Sequence, residues 1–236
     1  MESSKKRYFN LIKCKRTLFA LLFTTIFFVS FARSSNIFAN EQISAKEKKV
    51  QKYKFGLVDV KEIIPNIILD IRYATTNNFT KQVLYPSAEC YLLEEVAIKL
   101  NNVQQDLKKH GYRLKIFDGY RPLSVQWKMW KIVPNPRFVA DPRKGSHHNR
   151  GSAVDVGLVD MTGKEVEMPT EFDNFTQRAS PKYMKLKPEV IKRRRILTDT
   201  MKKHGFSQST TEWWHFNYIP LLRKPLLDVS FEELLD

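Results

Sequence analysis

The 236-residue chain carries 40 Lys and Arg against 25 Asp and Glu, a formal net charge of +15, and 42% of its residues are hydrophobic. That length suits one sizeable core, is too short for two enzyme domains, and comes with an ordinary globular composition. The charge favours anionic surfaces such as lipid head groups or wall polymers. Nucleic acid is not expected as a partner, because no basic stripe is interleaved with aromatics and no nucleic-acid-binding motif is present, and a solvated basic face is the plainer reading of the charge.

Residues 1–39 hold seven Lys or Arg and one Glu. Lys5, Lys6, Arg7, Lys13, Lys15 and Arg16 precede Thr17 to Ala32, sixteen uncharged residues rich in Leu, Phe and Ile. A basic region before an apolar run is the pattern of a signal peptide or signal anchor, and the run falls short of the ~20 residues of a membrane span. Cleavage is expected after Ala39, with Ala32 as the alternative. The protein is therefore expected to be exported, to the periplasm, and to touch a membrane only if this segment stays attached; a cytoplasmic location would mean that the segment is not used. Cys14 lies before the apolar run, and Cys90 reads as a small core residue. Residues 40–54 are polar and read as a linker, which leaves 55–236 as one domain.

In that domain Leu57–Val60 and Ile67–Tyr73 are β-branched apolar runs and predict strands. Thr75–Thr80 has turn chemistry. From Tyr91 to His110, Leu92, Val96, Leu100, Val103 and Leu107 recur at steps of three and four, which predicts a helix ending at Gly111. A strand over Leu114–Asp118 and a helix over Ser124–Ile132 follow, then a loop with Pro134, Pro136 and Pro142. Val154–Val159 predicts a strand, Thr162-Gly163 a turn, and 168–186 irregular structure. Pro188–Lys203 predicts a second helix with Pro188 at its first position, and Trp213–Ile219 a last strand. Strands and helices mix without a βαβ rhythm, so the expected fold is α+β with a mainly antiparallel sheet flanked by helices.

Two stretches carry chemistry. Ser146 to Asp155 contains His147, His148 and Asp155, and Glu212-Trp213-Trp214-His215-Phe216 follows about sixty positions on. Two imidazoles, one metal-binding carboxylate and one spare carboxylate are what a catalytic zinc site needs: three ligands, an open position and a general base. Gly151 permits a tight approach from His148 to Asp155. Glu212 and His215 would face opposite sides of a strand, so that stretch must begin in a turn if both serve one site. Each element also has an ordinary reading, since such spacings are common and aromatic clusters are usually core. His110 and His204, each before a glycine, read as helix-end caps.

At these residues the sequence resembles the D-alanyl-D-alanine dipeptidases. Ser146-x-His148-x-x-Gly151-x-Ala153-x-Asp155 and Glu212-Trp213-Trp214-His215 carry the likeness. It extends through Asp70-Ile71-Arg72-Tyr73-Ala74-Thr75, Asn78-Phe79-Thr80, Asp118-Gly119-Tyr120-Arg121-Pro122 and Met168-Pro169-Thr170-Glu171-Phe172-Asp173, with Pro169 where the family has Gly. The likeness spans about residues 57 to 220. It implies the zinc D-Ala-D-Ala peptidase fold shared with the hedgehog signalling domain, and one zinc ion per chain held by His148, Asp155 and His215. It implies Glu212 as general base and Arg121 as the group that stabilises the oxyanion, with Asp118 positioning Arg121. His147 falls outside the implied ligand set. Ser146, Tyr73, Thr75 and Phe79 are implied to bind or flank the substrate. The implied reaction is hydrolysis of the small dipeptide D-Ala-D-Ala to two D-alanines, with a D,D-carboxypeptidase or endopeptidase acting on peptidoglycan stems as the alternative.

Overall fold

The computed structural model describes residues 50–235. The segment read as a signal, and 40–49 of the linker, lie outside the described residues. The remaining linker residues rest on the domain: Tyr53 meets Tyr91 edge-on at 5.4 Å and Lys52 pairs with Glu94 at 2.7 Å.

The strands are β1 (Leu57–Asp59), β2 (Ile68–Leu69), β3 (Tyr91–Leu93), β4 (Tyr112–Asp118), β5 (Ala153–Asp160), β6 (Phe206–Gln208) and β7 (His215–Tyr218). The helices are α1 (Val60–Ile63), α2 (Glu94–Lys108), α3 (Leu123–Ile132), α4 (Pro188–Lys203) and α5 (Phe231–Leu235). β1 and β3 form an antiparallel pair, and five strands form a sheet in the order β2-β4-β5-β7-β6. Among the described residues only the β2–β4 pairing is parallel. The architecture is the expected α+β fold with a mainly antiparallel sheet.

Helix α2 forms because Val96, Leu100, Val103 and Leu107 make one stripe, all four fully buried, while Glu94 and Glu95 stand in its first turn. Fully burying each such side chain stabilises the fold by about 1.5–3 kcal/mol. Helix α4 starts on Pro188 and buries Val190, Leu197 and Met201. The two helices pack on each other, and their stripes join Leu114, Ile116, Val154, Val156 and Leu158 in one core.

Several elements depart from the sequence reading. Tyr91–Leu93 is strand, not helix: it pairs residue for residue with Leu57–Asp59, and the helix begins at Glu94. The strand over Ile67–Tyr73 shrinks to Ile68–Leu69, because the chain turns after Asp70 donates to the Ile116 carbonyl and Arg72–Ala74 form a 3-10 turn. The last strand begins at His215 rather than Trp213, and β6, unpredicted, lies beside it.

The sheet register positions the site. Leu114 faces Leu158, Ile116 faces Val156 and Val154 faces Phe216, an apolar row on one side. On the other side Asp155 is the direct partner of both Asp118 on β4 and His215 on β7. Asp118 reaches that row through a register shift between Ile116 and Asp118, a bulge that re-aims one side chain.

Candidate active site

Asp155 and His215 come from neighbouring strands, and His148 arrives on the 3-10 turn His148–Arg150 that leads into β5. The turn closes at Gly151, where φ is +64° and an added Cβ would lie 2.7 Å from Leu57 Cδ2. Ser146 Oγ accepts the His148 amide at 3.2 Å, the His148 carbonyl accepts the Arg121 amide at 3.1 Å, and Asn149 Nδ2 donates to the Arg121 carbonyl at 2.8 Å. The turn is thereby fastened to the segment after β4.

The three side chains converge. His148 Nε2 lies 3.1 Å from His215 Nδ1 and 3.3 Å from Asp155 Oδ2, and His215 Nδ1 lies 2.9 Å from Asp155 Oδ1. The outer ring nitrogens fix the tautomers. His148 Nδ1 lies 2.7 Å from the Gly119 carbonyl and His215 Nε2 lies 3.0 Å from Asn217 Oδ1. Both oxygens only accept, so the proton of each neutral imidazole sits on the outer nitrogen and the inner one is bare. Two bare nitrogens and a carboxylate then face one point. With no cation present, burial pushes the Asp155 carboxyl up, while His148 and His215, when protonated, outweigh it and hold it below the usual range; a bound cation would take the place of those protons.

Lone pairs turned on one another need a cation between them. Ligands about 2.0–2.1 Å from a tetrahedral ion stand roughly 3.3 Å apart, close to the separations here, so the residues fit a metal ion. His147 lines the same cavity but lies outside this group of three.

Asp118 supports the centre from beneath. It is fully buried and accepts from Tyr85 Oη at 2.7 Å, from the Gly119 amide at 2.9 Å, and from Arg121 through Nη2 at 2.6 Å and Nε at 3.1 Å. Gly119 allows this, since a Cβ there would come within 2.6 Å of Cys90 Sγ. Arg121 Nη1 donates to Gln126 Oε1 at 2.8 Å, and the guanidinium lies over the Tyr73 ring at 5.1 Å. Arg121 is thus held by three donors, leaving two of its five free.

Glu212 stands in the loop before β7, not on the strand, so it shares a cavity of about 460 Å³ with His215. Ser209 Oγ accepts the Thr211 and Glu212 amides at 3.2 and 3.3 Å, while the Ser209 amide donates to the His215 carbonyl at 2.9 Å. Burial raises the Glu212 carboxyl above its ordinary range; the His215 imidazole opposes this and the Asp155 charge adds to it. A carboxylate raised in this way is a better proton acceptor than an ordinary glutamate.

Tyr73, Phe79 and Ser146 line the cavity. Thr75 does not: it is exposed, and its hydroxyl donates to the Arg72 carbonyl at 3.0 Å, capping the 3-10 turn. Asp173 is a cavity residue to which the sequence reading gave no role. Tyr73 Oη donates to its Oδ1 at 3.1 Å, while Oδ2 is buried without a partner. Its φ of +59° is a conformation that Asp tolerates better than most residues. Burial, reinforced by the Asp155 charge, raises its carboxyl well above the usual range. Asn217 and Gln126 were likewise missed, since neither spacing nor composition distinguishes an amide that orients a ligand from one on a surface.

Two imidazoles and a carboxylate at one point, with a raised carboxyl and a fastened guanidinium on the same cavity, are the parts of a metal-dependent hydrolase. The family model described as D-ala-D-ala dipeptidase matches residues 53–230. The D-alanyl-D-alanine dipeptidase of Escherichia coli (strain K12) is 32% identical over 175 residues, covering 74% of this chain and 91% of that protein. Those of Enterococcus faecalis (strain ATCC 700802 / V583) and Enterococcus faecium are 29% and 28% identical, covering 75% and 69% of this chain and 96% and 91% of theirs. The chain belongs to the D-alanyl-D-alanine dipeptidase family of metallopeptidases.

Proposed function

We propose that this protein hydrolyses D-alanyl-D-alanine to two molecules of D-alanine, using one zinc ion held by His148, Asp155 and His215. The observation that carries the reading is the convergence of two bare imidazole nitrogens and a carboxylate beside Glu212 and Arg121 in one cavity. The chemistry zinc supplies when bound is a lowered water pKa and a polarised substrate carbonyl.

The chain's own groups supply the rest. Glu212, its carboxyl raised by burial, takes a proton from the attacking water and returns it to the departing amine. Arg121 turns its two free donors to the carbonyl oxygen as negative charge grows there, and Asp118 and Gln126 hold it in place meanwhile. Asp173 gives up its proton to solvent as its Oδ2 receives the substrate ammonium in an ion pair. A buried acceptor for a free amino terminus favours a dipeptide over a stem peptide, whose nitrogen is acylated. Tyr73, by donating to Asp173, sets the position of that acceptor. Phe79 and Ser146 flank the substrate.

The basic and then apolar run over residues 5–32 supports export, so the dipeptide would be met outside the cytoplasm, in wall recycling or scavenging. Fractionation finding the full-length protein in the cytosol would overturn this part. The chemistry is tested with Glu212→Ala. Zinc near one per chain should persist, while kcat/KM on D-Ala-D-Ala falls roughly 10²- to 10⁴-fold. Unchanged turnover would overturn the mechanism.

A further inference from the structure

The cavity beside the ligand cluster is lined by two guanidinium groups, Arg121 and Arg137, and among the described residues by no lysine. They are held differently. Arg121 is buried, and Asp118 matches its charge at 2.6 Å. Arg137 is exposed, and among the described residues its guanidinium has no hydrogen-bond or ion-pair partner.

The backbone of Arg137 is nonetheless fixed. Asn135 Oδ1 accepts the Arg137 amide at 3.0 Å, and the Asn135 carbonyl accepts the amides of Phe138 and Val139 at 3.0 Å each. Phe138 stacks on Phe175 with ring centroids 4.8 Å apart, and Val139 is buried. Gln126 ties the same loop to the catalytic centre: its Nε2 donates to the Ala140 carbonyl at 2.8 Å while its Oε1 accepts from Arg121. A fastened loop thus presents an unmatched cation at the cavity wall.

We propose that Arg137 recognises the free C-terminal carboxylate of the substrate and makes the enzyme select free acids. This rests on the dipeptide reading above. A zwitterionic dipeptide brings one cation and one anion into the cavity. Asp173 answers the cation, zinc would face the scissile carbonyl, Arg121 is neutralised by Asp118, and Arg137 is the side-chain cation left to answer the anion. Its planar fork matches a carboxylate with two parallel hydrogen bonds.

The test uses the full-length, zinc-loaded chain with D-Ala-D-Ala and its C-terminal amide as paired substrates. Wild type should prefer the acid. Arg137→Ala should raise KM for the acid roughly 10- to 100-fold, the effect of losing one charged hydrogen-bond partner. The amide should be affected far less, so the acid-to-amide ratio of kcat/KM collapses, and Arg137→Lys should fall between. An unchanged ratio in Arg137→Ala, with the amide still turned over, overturns the inference. Should Arg137→Ala fail to fold, judged by zinc content and melting temperature, the ratio for Arg137→Lys decides: a lowered ratio supports the role and an unchanged one overturns it. If the wild-type protein hydrolyses neither substrate, the dipeptidase reading itself fails.

Discussion

Asp155 and His215 are direct partners across antiparallel strands β5 and β7, with Oδ1 of one 2.9 Å from Nδ1 of the other. Asn217, two residues further along β7, accepts from the outer nitrogen of His215. Side chains two apart on a strand share a face, so one strand supplies both a proposed ligand and the group that would orient it. Asn217→Ala should lower zinc affinity about 10- to 100-fold, as loss of such a partner does elsewhere. Competition with a chromophoric chelator measures this; an unchanged dissociation constant would show that the hydrogen bond does not set the tautomer.

Asp118 should matter for stability as well as turnover. It sits in the same row and carries no solvent exposure. Asp118→Ala leaves the buried Arg121 guanidinium without its counter-charge, and breaking a buried pair in this way costs about 3–5 kcal/mol. Urea denaturation should register that loss, and the surviving folded enzyme should show a lower kcat because Arg121 is no longer held. A variant of wild-type stability would mean that Gln126 and Tyr73 alone suffice to hold Arg121.

Two carboxyls give opposite dependences on pH. Glu212 must be ionised to accept a proton, and burial raises it, so the acid limb of kcat/KM should lie above the ordinary Glu value of about 4.3. Asp173 is raised well above its ordinary value, first by burial. A raised carboxyl contributes stability that is fully present below the unfolded value of about 3.9 and is lost as pH rises toward the folded one. Asp173→Asn removes that loss. The melting temperature of metal-free wild type minus that of the variant should therefore fall steadily from about pH 4 upward. A constant difference would mean that Asp173 ionises as freely in the folded protein as in the unfolded chain.

Much of this centre was legible before the fold was known, and the reasons are local. Helix α2 carries an apolar stripe that only helical spacing explains, and the family motifs single out His148, Asp155, Glu212 and His215. What stayed hidden depends on distant chain segments. Leu92 fits the helical stripe by its spacing, yet Tyr91–Leu93 pairs with Leu57–Asp59 as a strand. The row Asp118–Asp155–His215 needs the sheet register and a bulge, and neither leaves a mark in the spacing. Thr75 belongs to a matching motif but caps its own turn. Asp173 carries a signal that could have been used, an acidic residue inside a matching motif, but its buried unpaired oxygen appears only once the loop is folded over the cavity.

A zinc site with an acceptor for a free amino terminus should act on the dipeptide. The most direct measurement compares kcat/KM of the purified zinc-loaded chain on D-Ala-D-Ala with that on a stem pentapeptide ending in D-Ala-D-Ala. The dipeptide should be preferred at least ~10-fold, the worth of one buried charged contact. Equal or better hydrolysis of the pentapeptide would contradict it and assign the site to a D,D-carboxypeptidase.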